Sequence, residues 1–134
     1  MSVEESRSRT MRAIKSKDTR PEIIVRRLIH SMGFRFRLHR KDLPGSPDLV
    51  FVARRKVIFV HGCFWHGHDC ARGSRLPKTN TEYWQNKIKK NHKRDMESIA
   101  RLKELGWKSC VVWECELRNI DLLRMKLLFF VAHD

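Results

Sequence analysis

Cys63-Phe64-Trp65-His66-Gly67-His68-Asp69-Cys70 is the densest set of metal-binding side chains in this 134-residue sequence. Cys63, His68 and Cys70 follow C-x4-H-x-C spacing, and Cys115 lies 45 residues beyond Cys70. Structural zinc takes four nitrogen or sulfur ligands in a closed tetrahedral site, so these four are the expected Zn²⁺ ligands. Two alternatives stay open. His66 would replace His68 in a C-x2-H-x3-C set, and Cys110 competes with Cys115. If both cysteines lie in one strand, their five-residue offset puts them on opposite faces, and Cys110 precedes two valines as a core residue would. Any one cysteine on its own is as well explained as a buried thiol.

If His68 holds the metal, His66 is left to face Asp48, which opens an apolar run directly after Pro47. An aspartate there can simply turn the chain. It can also be a hard oxygen ligand for Mg²⁺, which prefers one or two carboxylates together with water and phosphate oxygens. That pairing suits phosphodiester hydrolysis: the cation neutralises charge developing on phosphorus, and an imidazole takes a proton from the attacking water. Phe64 and Trp65 share too tight a loop for both to hide easily. With Trp84 they suit stacking on bases or wedging between them, although Trp84 alone reads as core. Lys87, Lys89, Lys90, Lys93 and Arg94 suit phosphate contact, the plainer reading being a solvated helix face.

The elements that must position these groups follow from pattern. Residues 1–17 form a polar, basic N-terminal arm. Asp18-Thr19-Arg20-Pro21-Glu22 is a helix start, and Gly33 a stop. Residues 34–39 alternate apolar and polar, as a half-buried strand does. Residues 48–52 and 56–60 are apolar runs whose three-residue gap is too short for a crossover, which predicts an antiparallel hairpin. A turn at Arg54-Arg55 sets Leu49 against Val60 and Asp48 against His61. With neither Gly nor Asn in the turn, that register is open by a residue or two. Thr79-x-x-Glu82 reads as a capping box for a helix over 82–105. Residues 108–113 read as a buried strand, and Asn119 caps a last helix. The order α-β-β-β-α-β-α implies a mixed sheet covered by helices.

The length fits one domain spanning 1–134. Twenty-nine Lys and Arg against 15 Asp and Glu give a net charge of +14, which favours a polyanionic partner, nucleic acid above a membrane surface. No apolar run reaches the roughly 18 residues of a membrane span. The N-terminus lacks an apolar signal core. Four cysteines in a cytoplasmic chain read as metal ligands rather than two disulfides.

Together these residues resemble the very short patch repair DNA mismatch endonucleases, a zinc-containing branch of the nuclease superfamily with a PD…E-x-K motif. The resemblance runs through Thr10-Met11-Arg12-Ala13-Ile14, Leu43-Pro44-Gly45-Ser46-Pro47-Asp48, Phe59-Val60-His61-Gly62-Cys63-Phe64-Trp65-His66, Thr81-Glu82-Tyr83-Trp84, Leu105-Gly106-Trp107 and Val112-Trp113-Glu114-Cys115. It implies an α/β, restriction-endonuclease-like mixed sheet flanked by helices, with a structural zinc site. It implies Mg²⁺-dependent nicking of duplex DNA 5′ to the thymine of a T·G mismatch left by deamination of 5-methylcytosine.

By the same resemblance Asp48 is the magnesium carboxylate, the Val60 backbone carbonyl a second magnesium ligand, and His66 the catalytic histidine. Cys63, His68, Cys70 and Cys115 hold zinc, and Phe64, Trp65 and Trp84 form the intercalating wedge. Glu22, His61 and Asp95 are supporting active-site residues. The superfamily's acid-and-lysine pair is missing from the strand after Asp48, since 56–60 has no carboxylate, and Val60 stands where the family often has threonine. Implied partners are a companion cytosine-C5 methyltransferase and mismatch-repair proteins. A monomer acting in the bacterial cytoplasm, at the nucleoid, is expected. A same-fold nuclease of different specificity and a non-catalytic zinc module that binds DNA are the rival readings.

Overall fold

The computed structural model describes residues 19–71 and 73–133; the expected basic arm of residues 1–17 lies outside them. Helix α1 is Arg20–Ser31. Strands β1 (Arg37–Leu38), β2 (Leu49–Phe51) and β3 (Lys56–His61) follow, then helix α2 (Thr81–Glu104), strand β4 (Lys108–Trp113), a 3₁₀ turn (Glu114–Arg118) and helix α3 (Ile120–Ala132). The strands form one sheet in the order β1-β2-β3-β4. The first two pairings are antiparallel and β3–β4 is parallel. This is the expected mixed α/β architecture.

The continuous apolar runs of β2 and β3 are buried because helices cover both faces of the sheet. Val25, Leu28 and Ile29 of α1 and Leu123, Leu127 and Val131 of α3 pack on Leu49, Phe51, Ile58 and Val112. Leu102 of α2 closes the other face on Val50, Val57 and Phe59. The alternation along β2 and β3 thus sends successive residues to different helices. Lys56 is only 1% exposed. Its ammonium donates to the Phe130 carbonyl at 2.7 Å and to that of His133, satisfying carbonyls that the end of α3 would otherwise leave without donors.

Several local expectations are corrected. The 34–39 alternation gives the right faces, with Phe34 and Phe36 against the core, but the ladder covers only Arg37 and Leu38. His39 adopts a left-handed backbone (φ 49°) and ends the pairing. The β2–β3 register is two residues from the expected one: Leu49 faces Ile58, and Phe51 faces Lys56. The turn takes four residues, 52–55, with the Arg55 N–H donating to the Val52 carbonyl at 3.2 Å and Arg55 left-handed at φ 55°. An even slip preserves which side chains face which layer, so the core is unaffected. The Thr79 capping box does not form. Asn80 occupies the cap position in a left-handed conformation, and the Thr81 hydroxyl donates to the Pro77 carbonyl at 2.8 Å. At the last helix Asn119 does cap, its side-chain oxygen accepting from the Leu122 N–H at 3.2 Å.

Candidate active site and metal centre

The parallel ladder pairs His61 with Trp113, so Cys63 and Cys115, each two residues further along, emerge side by side at the same sheet edge. The loop after β3 then folds back. The His68 N–H donates to the Cys63 carbonyl at 2.9 Å, and the Cys70 N–H to the His68 carbonyl at 2.9 Å. This brings one ligand atom each from Cys63, His68, Cys70 and Cys115 within 4.8 Å of one another. His68 Nδ1 lies 3.5 Å from the Cys115 sulfur, and the His68 ring stacks on Trp113 at 4.1 Å. Gly73 closes the loop, where a Cβ would stand 2.0 Å from the His68 carbonyl oxygen. Three sulfurs and one imidazole in this arrangement fit a tetrahedral thiophilic ion. Burial pushes the Cys63 thiol up to about 12 in the metal-free form, and a bound cation would displace that proton. Cys115 lies in the 3₁₀ turn rather than in the strand, so strand alternation does not govern it. Cys110 packs against the core.

His66 is turned away from this cluster. Its Nδ1 pairs with Asp95 Oδ2 of α2, a contact that replaces the expected one with Asp48. Since a carboxylate accepts, Nδ1 is the donor to Asp95, and Nε2 is the ring nitrogen left for other partners. The buried His61 ring lies flat on His66, with centroids 3.7 Å apart and planes 2° from parallel. Imidazole lone pairs lie in the ring plane, so two parallel rings cannot converge on one ion. His61, His66 and Asp95 are thus arranged as a histidine–carboxylate pair with a second imidazole stacked on it, rather than as converging metal ligands. Burial, followed by neighbouring His66, holds His61 down to about 4, with Asp95 opposing.

Asp48 belongs to a second cluster. Its Oδ2 accepts from the Val60 N–H at 2.6 Å. Its Oδ1 lies 3.9 Å from His39 Nδ1, and the other ring nitrogen, Nε2, is 3.5 Å from Glu22 Oε2. Arg26 donates to Glu22 Oε2 at 3.0 Å and to His39 Nε2 at 2.9 Å. Burial raises Asp48 to about 7; the Val60 N–H and Arg26 oppose this, and Glu22 adds to it. A carboxyl held this high is short of positive charge, which a divalent cation would supply.

Both clusters open on one cavity of about 530 Å³, lined by Glu22, Asp48, Val60, His61, His66 and Asp95 among others. Phe64, Trp65, Asn91 and Arg94 also line it. As its core reading requires, Trp84 is 6% exposed. Of the loop pair expected not to hide together, Trp65 is buried at 7% and Phe64 is half-buried. The three rings close on one another edge to face, 5.5–5.9 Å apart. Lys89, Lys90, Lys93 and Arg94 are exposed along α2, while Lys87 is half-buried over the Trp65 ring.

His39, Arg26 and Asn91 were not anticipated. Glu22 and Arg26 at i, i+4 were a readable helix pair. Asn91, whose amide donates to the Trp65 carbonyl at 3.1 Å, lies inside the basic run with no local signal that sets it apart. Nothing local points to His39, whose place depends on its N–H donating to the Asp48 carbonyl at 3.3 Å across β1–β2.

Residues 2–72 match the family model described as DNA mismatch endonuclease Vsr. The chain is 54% identical to the type II nicking enzyme V.XorIIP of Xanthomonas oryzae pv. oryzae, over 92% of this chain and 90% of that one. It is 46% identical to the type II nicking enzyme V.NmeAIP of Neisseria meningitidis serogroup A (90% and 86%). It is 48% identical to the DNA mismatch endonuclease Vsr of Escherichia coli (88% and 75%). With its helix-covered mixed sheet and a cavity lined by acid, base and aromatic groups, the chain belongs to the Vsr family of DNA mismatch endonucleases.

Proposed function

We propose that this protein is a Mg²⁺-dependent endonuclease that nicks duplex DNA on the 5′ side of the thymine in a T·G mismatch, beginning repair of deaminated 5-methylcytosine. The observation that carries the reading is the convergence of the His66–Asp95 pair and the Asp48 carboxylate on one cavity. Asp95 fixes the His66 tautomer and orientation, leaving Nε2 to take the proton of the attacking water. His61, held neutral, buttresses the ring without competing for that proton. Asp48 and the Val60 carbonyl are the groups to hold Mg²⁺, with Glu22 in support beside them; the ion when bound would neutralise charge on the scissile phosphate. Zn²⁺ at Cys63, His68, Cys70 and Cys115 has a structural role, fixing the loop that carries His66 and the aromatic rings.

Phe64, Trp65 and Trp84 stack on or wedge between bases around the mismatch. A mismatched step is less costly to unstack than a paired one, which gives this cluster a route to selectivity. Lys87, Lys89, Lys90, Lys93 and Arg94 contact phosphates. Among the described residues no helix is long and apolar enough to cross a membrane. The reading carries a companion cytosine-C5 methyltransferase, contact with mismatch-repair proteins, and a cytoplasmic monomer. The deciding experiment incubates strand-labelled T·G, T·A and C·G duplexes with Mg²⁺, and in parallel with EDTA. A single nick 5′ to the T, only in T·G and only with Mg²⁺, is expected. Equal cutting of the three duplexes would leave a nuclease of other specificity.

A further inference from the structure

The Glu22–His39–Asp48 cluster offers more than oxygen. We infer that His39 supplies an imidazole ligand to the divalent cation at Asp48, so that the site favours a transition-series ion such as Mn²⁺ over Mg²⁺. This rests on the assignment of Asp48 as the metal carboxylate.

Three observations carry it. First, one ligand atom each from Glu22, His39 and Asp48 lies within 4.8 Å of the others. His39 Nδ1 and Asp48 Oδ1 face each other across 3.9 Å, too far for a hydrogen bond. Two donors each about 2.1 Å from a shared ion come to lie roughly 3–4 Å apart.

Second, both groups are fixed before any ion arrives. The other Asp48 oxygen is taken by the Val60 N–H, which leaves Oδ1 aimed at the gap. His39 is pinned by its own N–H to the Asp48 carbonyl in a left-handed backbone. That conformation is uncommon for a residue with a Cβ and persists only where the surroundings impose it. Each side chain is 17% exposed, so the gap is mostly withdrawn from bulk water.

Third, the far side of the ring is already furnished. A metal-bound histidine characteristically donates its remaining N–H to a carboxylate. His39 Nε2 lies 3.5 Å from Glu22 Oε2. In the metal-free form Arg26 donates to Nε2, which puts the ring proton on Nδ1. When an ion takes Nδ1, the ring proton is relocated to Nε2, where Glu22 accepts it. Arg26 releases Nε2 and keeps its 3.0 Å bond to Glu22. The neutral ring exchanges one tautomer for the other, with no net change in protons. Imidazole nitrogen suits transition metals, whereas Mg²⁺ takes oxygen and water.

The test titrates Mn²⁺ and, separately, Mg²⁺ into zinc-loaded, DNA-free protein, with pulsed EPR of the bound Mn²⁺. Wild type should show nitrogen modulation from a directly bound imidazole. His39→Gln, or His39→Asn should the first variant fold poorly, should lose that modulation. Its Mn²⁺ affinity should fall by at least about tenfold, or ~1.4 kcal/mol, while Mg²⁺ affinity moves by less than about threefold. Asp48→Asn should weaken both ions. Unchanged modulation and Mn²⁺ affinity in both His39 variants, with binding lost in Asp48→Asn, would overturn the His39 ligand and leave the Asp48 assignment standing. Binding unaffected by Asp48→Asn would overturn both.

Discussion

The rings of His61 and His66 lie face to face, 3.7 Å between centroids and 2° from parallel, with Asp95 on the edge of the second ring. The stack holds the angle of His66, and the carboxylate holds its tautomer. His66→Ala should lower nicking of a T·G duplex by about 10²–10⁴-fold, the range of a lost general base. Asp95→Asn should cost less, with the loss in kcat, because the carboxylate orients the ring rather than taking the proton itself. His61→Phe keeps a flat ring against His66 and should retain more activity than His61→Ala, with the loss in kcat rather than KM. Equal loss in the two His61 variants would show that stacking is not what His61 contributes.

Asp48 titrates at about 7 in the metal-free fold, chiefly because it is buried. The native state therefore holds a proton that the unfolded chain releases near its ordinary value of 3.8. Native stability attributable to this group falls as pH rises from about 4 through 7, by up to roughly 4 kcal/mol. Thermal melts in EDTA should show wild type losing stability relative to Asp48→Asn across that window. Adding Mg²⁺ should raise the wild-type melting temperature more at pH 8 than at pH 5.5, because the cation stabilises the ionised carboxylate. Parallel curves for the two proteins would refute the assignment of the shift to Asp48.

The Cys63–His68–Cys70–Cys115 cluster should hold one Zn²⁺ per chain by elemental analysis. Cys63 is fully buried, so Cys63→Ala should abolish stoichiometric zinc and disorder the loop through residue 70. Zinc in small peptides is worth about 10–16 kcal/mol; here the helix-covered core should survive, and the loop and nicking should not. Gly73→Ala should act alike, since its Cβ would collide with the His68 carbonyl.

Because Phe64, Trp65 and Trp84 pack on one another in the free protein, wedging must come at the expense of those edge contacts. Phe64→Ala with Trp65→Ala should erase the preference for T·G over T·A in a competition assay. The structure-wide far-UV spectrum should change little, and residual nicking should persist. Retained preference would rule out the aromatic cluster as the mismatch reader.

Much of this was legible in order and pattern. The apolar runs at 48–52 and 56–60 announced strands that are buried, whereas 108–113, read as buried, is a strand that is mostly half-buried because it lies at the end of the sheet. Asn119 announced the last helix, and C-x4-H-x-C announced a loop folding on itself, because each of these depends on residues close in sequence. What only the folded chain decided was which distant groups meet. The β2–β3 register turned on Arg55 accepting a left-handed backbone, a choice among nearly equal turns. Asp95 reached His66 rather than leaving it to Asp48 because α2 crosses over the loop. His39 reached Asp48 through a two-residue ladder that no periodicity encodes. Local spacing fixes which side chains a short segment can gather, whereas the pairing of segments far apart is set by burying both sheet faces at once.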